Sequence, residues 1–363
     1  MKNIKLLKNN ITKAEELKDI LNLSEEEVVK LSDILEKYPM SITPYYLSLI
    51  DFNDENDPIK KMCIPSIEEI DISGSFDTSG EADNTIITGM QHKYPQTVIV
   101  LSTNNCAMYC RHCFRKRLVG LSDEEIATHF DEMIEYINNH KEITNVLVSG
   151  GDSFLNSDEK IEMYLEALTK IEHLELIRFG TRVPVVYPDR ITRNNNLKDI
   201  LKKYGEKKQI YVVTQFNHPR EVTEEAKESI KYLREAGVVV KNQTVLLKGV
   251  NDNIEILGTL LKKITAIGIV PYYIFQCRPV TGVKNQFQVP FKKAIDIVEG
   301  AKNMQNGQGK CIKYCMSTTS GKIEIVGKLD DNKIVFKYHQ SKYEKDRGKI
   351  FIEDVSDDQT WID

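Results

Sequence analysis

Between residues 97 and 277 the chain alternates short apolar runs with amphipathic stretches. The runs, rich in Val, Ile, Leu, Phe and Tyr, fall at 97–103, 144–149, 175–180, 209–216, 238–247 and 270–277. Runs of this length, bounded by turn residues, read as strands of a buried parallel sheet. The stretches between them read as helices, and three carry an N-terminal capping signal: Ser122-Asp123-Glu124-Glu125, Ser157-Asp158-Glu159 and Thr223-Glu224-Glu225. Strands alternating with helices imply right-handed βαβ units. Six units are fewer than the eight of a closed barrel, so the expected fold is α/β, a partial (β/α)6 barrel open on one side.

The flanks read differently. Residues 1 to about 50 show helical periodicity, with Ser24 capping an acidic first turn and Val28, Val29, Leu31, Ile34 and Leu35 giving an apolar face. Residues 51–90 are rich in Asp, Ser, Gly and Pro and read as a mainly irregular connector. After Gly307-Gln308-Gly309-Lys310, short strand-like runs at 323–327, 333–338 and 349–352 suggest a small β-rich section. The expected division is 1–90, a helical section with its connector; 91–304, the barrel; and 305–363, the β-rich section.

Composition narrows the function. Hydrophobic residues make up 41% and charged residues 28%, as in a globular protein. The net charge of −5 argues against nucleic acid as a partner. No apolar run approaches the roughly 18 residues that span a membrane. Met1-Lys2-Asn3-Ile4-Lys5 has no signal-peptide core, so the expected location is cytoplasmic, where seven cysteines suggest metal chemistry over disulfides.

Three of those cysteines, Cys106, Cys110 and Cys113, follow the first strand at spacing C-x3-C-x2-C. Thiolates commonly hold iron–sulfur clusters, and three of them leave one iron of a [4Fe–4S] cube open to an outside ligand. Arg111, Arg115, Lys116 and Arg117 are expected to offset the cluster's negative charge. With His112 the thiols also admit structural zinc in a non-catalytic interaction protein, although zinc ligands usually come as two separated pairs. Plain buried cysteines are the third reading. Polar residues follow every strand, namely Ser149-Gly150-Gly151-Asp152, Gly180-Thr181-Arg182, Gln215-Phe216-Asn217-His218-Pro219, Asn242-Gln243 and Gln276-Cys277-Arg278. Barrel enzymes build their sites at these strand ends.

The segment from Tyr94-Pro95 through the cysteines to Arg117 resembles the radical S-adenosylmethionine (SAM) enzymes, and within them the lysine 2,3-aminomutase family. The likeness covers roughly residues 40–325 and includes Asn217-His218-Pro219, Asn242-Gln243, Lys248-Gly249-Val250-Asn251-Asp252 and Pro271-Tyr272-Tyr273. It implies a barrel of the radical SAM type whose open iron chelates SAM. It also implies a pyridoxal 5′-phosphate (PLP) cofactor, an amino-acid substrate and an electron donor such as flavodoxin or ferredoxin; homo-oligomerisation is left open. By the resemblance, Ser149, Gly150, Gly151 and Asp152 meet the methionine end of SAM, and His218 and Gln243 line the SAM site. Lys322, after Ser320-Gly321, matches the lysine that joins PLP, and Lys93 matches a basic position near the PLP phosphate. An amino shift catalysed with the help of PLP is the implied reaction; a radical SAM reaction without PLP is the alternative.

The resemblance breaks at substrate recognition. Lysine-specific members hold the distal ammonium with two aspartates, and Arg278 and Cys315 stand at those positions. A guanidinium repels an ammonium group, so the expected substrate is not lysine, and Arg278 is the candidate substrate-binding residue. The family's carboxyl-terminal zinc cysteines have no counterpart after Cys315. Cys277, Cys311 and Cys315 read as packed thiols, with a second metal site as the alternative.

Overall fold

Every apolar run between 97 and 277 is a strand of one sheet. The computed structural model describes residues 7–362; residues 1–6, read above as the opening of the helical section, and Asp363 lie outside the described residues. Twelve strands pair in the order of the sequence. They are β1 (Thr85–Ile87), β2 (Met90–Tyr94), β3 (Thr97–Thr103), β4 (Asn145–Gly150), β5 (Leu176–Gly180) and β6 (Gln209–Thr214). Next come β7 (Val239–Leu246), β8 (Val270–Gln276), β9 (Lys313–Ser317), β10 (Gly321–Lys328), β11 (Lys333–Ser341) and β12 (Ile350–Asp354). Strands β3 to β9 are parallel, and antiparallel strands extend the sheet at both ends. The sheet is open: among the described residues β1 and β12 each have one strand partner.

The main helices are α1 (Glu25–Lys37), α2 (Phe130–Asn139), α3 (Asp158–Thr169), α4 (Asn195–Gly205), α5 (Glu224–Glu235), α6 (Ile254–Ala266) and α7 (Phe291–Asn303). The caps at Ser24, Ser157 and Thr223 form as expected, each side chain accepting from a backbone N–H of the first turn.

Strand alternation decides what faces inward. In β4, Val146 and Val148 are buried in the hydrophobic core, whereas Asn145, Leu147 and Ser149 line a central cavity. In β5, Ile177 and Phe179 join the core, and Leu176, Arg178 and Gly180 face the cavity. The register pairs Leu147 with Arg178 and Arg178 with Tyr211, so one level of side chains runs across three strands. The core proper lies outside the strands, where residues such as Ile161, Leu165, Ile230 and Leu261 pack against them.

The structure refines three expectations. Ser122 caps no helix: its hydroxyl accepts from Glu124 N at 3.1 Å in a turn, and α2 begins at Phe130. Ile126 is buried with Leu101 and Leu118, and Ala127 N donates to Leu101 O at 2.8 Å. Tertiary contacts thus hold residues 126 and 127 out of a helix where the local signal favoured one. The connector is irregular at most of its positions, as expected, but it also carries a helix at Pro58–Cys63, helical turns at Ile67–Ile70 and Glu81–Asn84, and strand β1, which pairs with β2 where the connector ends. Strand β9 carries no alternation because four of its five residues are buried, and it pairs parallel to β8 as a seventh parallel strand.

Candidate active site

The cysteine loop leaves the carboxyl end of β3 and is clamped by the chain before it. Tyr109 N donates to Ser41 O at 3.0 Å, and Arg111 N to Met62 O at 2.9 Å. The buried Asn10 amide donates to Ala107 O at 2.8 Å. The amino-terminal section therefore satisfies loop backbone groups that would otherwise be buried without partners.

Beyond the loop lies a cavity of about 510 Å³. Cys106, Cys110 and Cys113 line it together with Ser149, Gly150, Gly151, Asp152, Gln243, Lys93, Arg278 and Lys322. All but one of the residues expected at the site are thus gathered. The exception is His218, which does not line the cavity; its Nδ1 accepts from Arg220 N at 3.2 Å and caps the turn Pro219–Glu221.

The cysteines are free thiols. Burial, and for Cys106 the neighbouring Asp152 and the other two sulfurs, pushes the Cys106 thiol well up; burial and Cys110 push Cys113 up to about 11. Metal binding removes such protons. Two N–H donors already point at the sulfurs. Arg182 Nη1 lies 2.8 Å from Cys110 Sγ, and Arg115 N lies 3.4 Å from Cys113 Sγ. Donors to ligand sulfur suit an anionic cluster. His112 is buried with its Nε2 facing the Asn217 and Gln215 amides at 3.3 Å. Among the described residues no three His, Cys, Asp or Glu side chains are gathered as a single metal ion requires.

The expectation that four cations offset the cluster charge is qualified. Arg111 and Lys116 both bond Glu69, and Arg115 and Arg117 both bond Glu81. These two buried carboxylates come from the connector and balance two of the four positive charges, which leaves the loop cationic on balance. Arg182 is the cation on a cysteine sulfur, and its other nitrogens bond Gln215 O, Tyr46 Oη and the Glu221 carboxylate. Its strand-end position was visible in the sequence, but nothing there marked a sulfur partner 72 residues away.

The Gly-Gly pair has a backbone reason. Gly150 has φ +114°, and a Cβ there would meet Thr103 O at 2.3 Å; one on Gly151 would meet Asn105 O at 2.4 Å. The turn needs glycine because two strand ends touch. The Asp152 carboxylate is spent on the same packing, accepting from Arg182 N at 2.7 Å and Phe154 N at 3.0 Å.

Across the cavity, Lys322 opens β10 with its Nζ over the rings of Tyr273 (4.2 Å) and Phe275 (5.5 Å). Burial, aided by Arg178 and Arg278 and opposed by Cys315, holds its ammonium down to about 8. Lys93, on β2, donates to Ser79 O at 3.0 Å and to Thr318 O, and burial with the Arg278 and Lys342 charges brings it to about 7. Arg278 stacks on Phe114 at 4.1 Å and donates to Ser79 Oγ at 2.8 Å. Among the described residues no carboxylate lies within ion-pair distance of it. Burial pulls it down to about 10. Cys277 and Cys315 are buried, as expected of packed thiols, whereas Cys311 is exposed.

A strand-end cavity with three free cysteines on the loop after the first parallel strand defines the class, a radical SAM enzyme; the radical SAM superfamily pattern matches residues 100–260. Among relatives, a putative L-lysine 2,3-aminomutase from Aquifex aeolicus is 39% identical over 96% of this chain and 93% of its own. The L-lysine 2,3-aminomutase of Fusobacterium nucleatum is 43% identical over 83% of this chain and 70% of its own. The glutamate 2,3-aminomutase of Clostridioides difficile is 38% identical over the same 83% and 70%. The chain belongs to the lysine 2,3-aminomutase family and is an isomerase of the aminomutase type. The family works with a [4Fe–4S] cluster and SAM. No helix among the described residues is long and apolar enough to cross a membrane.

Proposed function

We propose that this enzyme is a PLP-dependent 2,3-aminomutase acting on an amino acid with an anionic side chain, with glutamate the leading candidate. The observation that carries the reading is Arg278, a guanidinium without a carboxylate partner in the cavity that holds Lys322 and the cysteines. A buried cation is stable when a counter-charge or hydrogen bonds compensate its lost solvation. A substrate carboxylate supplies both through a bidentate pair.

Each residue then has a task. Cys106, Cys110 and Cys113 hold three irons, and Arg182 donates to the Cys110 sulfur. The strand end Ser149–Asp152 and Gln243 border the space for SAM. Bound, the cluster and SAM would supply a hydrogen-abstracting carbon radical, and PLP a π system to carry the amino group. Lys322 is the amine for the PLP aldehyde, since an ammonium held near 8 yields its proton near neutral pH. Lys93 gives its hydrogen bonds to Ser79 O and Thr318 O and so adds positive charge to that wall. A flavodoxin- or ferredoxin-like donor supplies the electron.

The test is anaerobic reconstitution with iron, sulfide, SAM and PLP, then assay of glutamate and lysine for 5′-deoxyadenosine and β-amino product. A desolvated ion pair that loses one partner costs about 3–5 kcal/mol. Glutamate should therefore be preferred by about 100-fold or more in kcat/KM, and Arg278→Asp should abolish that preference. A wild-type preference for lysine refutes the charge argument. Turnover without any PLP favours a PLP-independent reaction.

A further inference from the structure

The floor of the cavity, at the amino ends of the strands, carries two cations that neither the sequence reading nor the proposed mechanism uses. Arg178 projects inward from β5 and Lys241 from β7. The Arg178 Nε is shielded from solvent and has no hydrogen-bond partner, and the residue joins no ion pair among the described residues. Orphaned buried donors are rare in folded proteins, and a guanidinium presents five N–H groups in a rigid fork. Lys241 is half-buried, its Nζ 4.9 Å from the centre of the Tyr211 ring and 4.6 Å from that of Tyr272, and it too joins no ion pair. Each cation is made less favourable by burial, and Lys241 also by Arg178 itself. Leu147, Leu176, Asn145 and Thr97 line the cavity beside them, and its two acidic lining residues are engaged elsewhere, Glu81 by Arg115 and Arg117 and Asp152 by the Arg182 and Phe154 N–H groups.

We infer that Arg178 and Lys241 form a receptor for a phosphate monoester, the phosphate of a pyridoxal phosphate joined to Lys322. The inference rests on the PLP reading above and moves the main phosphate contact from Lys93 to the floor. Lys93 already donates to two carbonyls, whereas Arg178 and Lys241 have donors to spare. Lys322 lines the same cavity as Arg178 and Arg278, with its amine over the Tyr273 and Phe275 rings of β8. One anion receptor then serves the cofactor and the other the substrate. A phosphate monoester suits the floor because a dianion there faces two positive charges, and fork-shaped guanidinium donors match its oxygens.

The experiment compares PLP with pyridoxal, which lacks the phosphate, on the full chain with its cluster reconstituted. Binding is read by the absorbance of the lysine adduct and by equilibrium dialysis. Wild type should bind PLP about 100-fold or more tighter than pyridoxal. Arg178→Gln and Lys241→Gln should each cut that ratio about tenfold or more while leaving pyridoxal affinity unchanged. Arg178→Lys should restore part of it, and Lys93→Gln should leave the ratio within about threefold. Far-UV circular dichroism and cluster absorbance identify a variant that has misfolded, and Lys241→Gln, at a half-buried site, then decides. Tight PLP binding with a ratio indifferent to Arg178 and Lys241 overturns this inference alone. Wild type that forms no adduct with either compound overturns the PLP reading and this inference with it.

Discussion

At the scale of single residues, the site separates groups that bind from groups that only pack. The cysteines belong to the first kind. Cys106→Ala, Cys110→Ala and Cys113→Ala should each abolish the brown [4Fe–4S] absorbance and SAM cleavage, whereas Cys63→Ala should retain both. Cys63 is buried, and its thiol donates to Ile59 O at 3.2 Å in a short helix. Full SAM cleavage by Cys110→Ala would defeat the assignment. Lys322 allows an equally direct check. Borohydride reduction of the PLP-loaded protein should fix the label on Lys322, as peptide mapping would read; a label on Lys93 or any other lysine refutes its role. The cysteine spacing was legible because a cluster loop draws its ligands from adjacent positions. Arg178 and Arg182 were not singled out, because their meaning lies in what they face across the barrel, and no local pattern encodes that. His218 serves the turn it starts, a use that its strand-end position does not distinguish from a role in the site.

At the scale of elements, the connector has a larger part than its composition suggests. Glu69 and Glu81 sit on two short helical turns and between them pair with four cations of the cysteine loop, each carboxylate shared by two. Burial alone would push the Glu81 carboxyl up, but Arg115 and Arg117 outweigh it and hold it down at about 2. In the unfolded chain it titrates near about 4.3. The folded value is the lower one, so the unfolded state takes up the proton first as pH falls. The stabilisation is complete above about pH 4.3, is lost toward pH 2, and amounts to something on the order of 3 kcal/mol. Urea titrations at about pH 5 and about pH 3 should therefore show a smaller stability loss in Glu81→Gln than in wild type. Equal losses would mean that the pair carries no such linkage. Strands β3 to β8 were readable because apolar residues such as Val146, Phe179 and Val240 recur on their core-facing sides between helical stretches. Strand β2, Met90-Gln91-His92-Lys93-Tyr94, was not, because its pairing with β3 supplies the order that its composition withholds. The capping signal at Ser122 failed where long-range contacts of Ile126 and Ala127 outweighed a local preference.

At the scale of the whole molecule, protection should follow the sheet. The parallel strands β4 to β7 lie between helices and neighbouring strands, with side chains such as Val146, Phe179, Val212 and Val240 buried. Strand β12 is an edge on which Ile350 and Ile352 remain 62% and 51% exposed. Hydrogen exchange should be slowest in β4–β7 and faster by several orders of magnitude in β12. Uniform protection across the sheet would contradict this gradient.

The sequential strand order also sets a timetable. A ribosome delivers Asn10, Ser41, Met62, Glu69 and Glu81 before it delivers Cys106, the first of the three loop cysteines, so the amino-terminal partners of that loop are already synthesised when it emerges. Each new strand then finds its neighbour already made, and no pairing waits for distant chain. Arg182 arrives later to reach Cys110, and Lys322 comes among the last functional groups. During its own synthesis the protein therefore presents its cysteines, already held in place, well before the lysine end of the cavity exists.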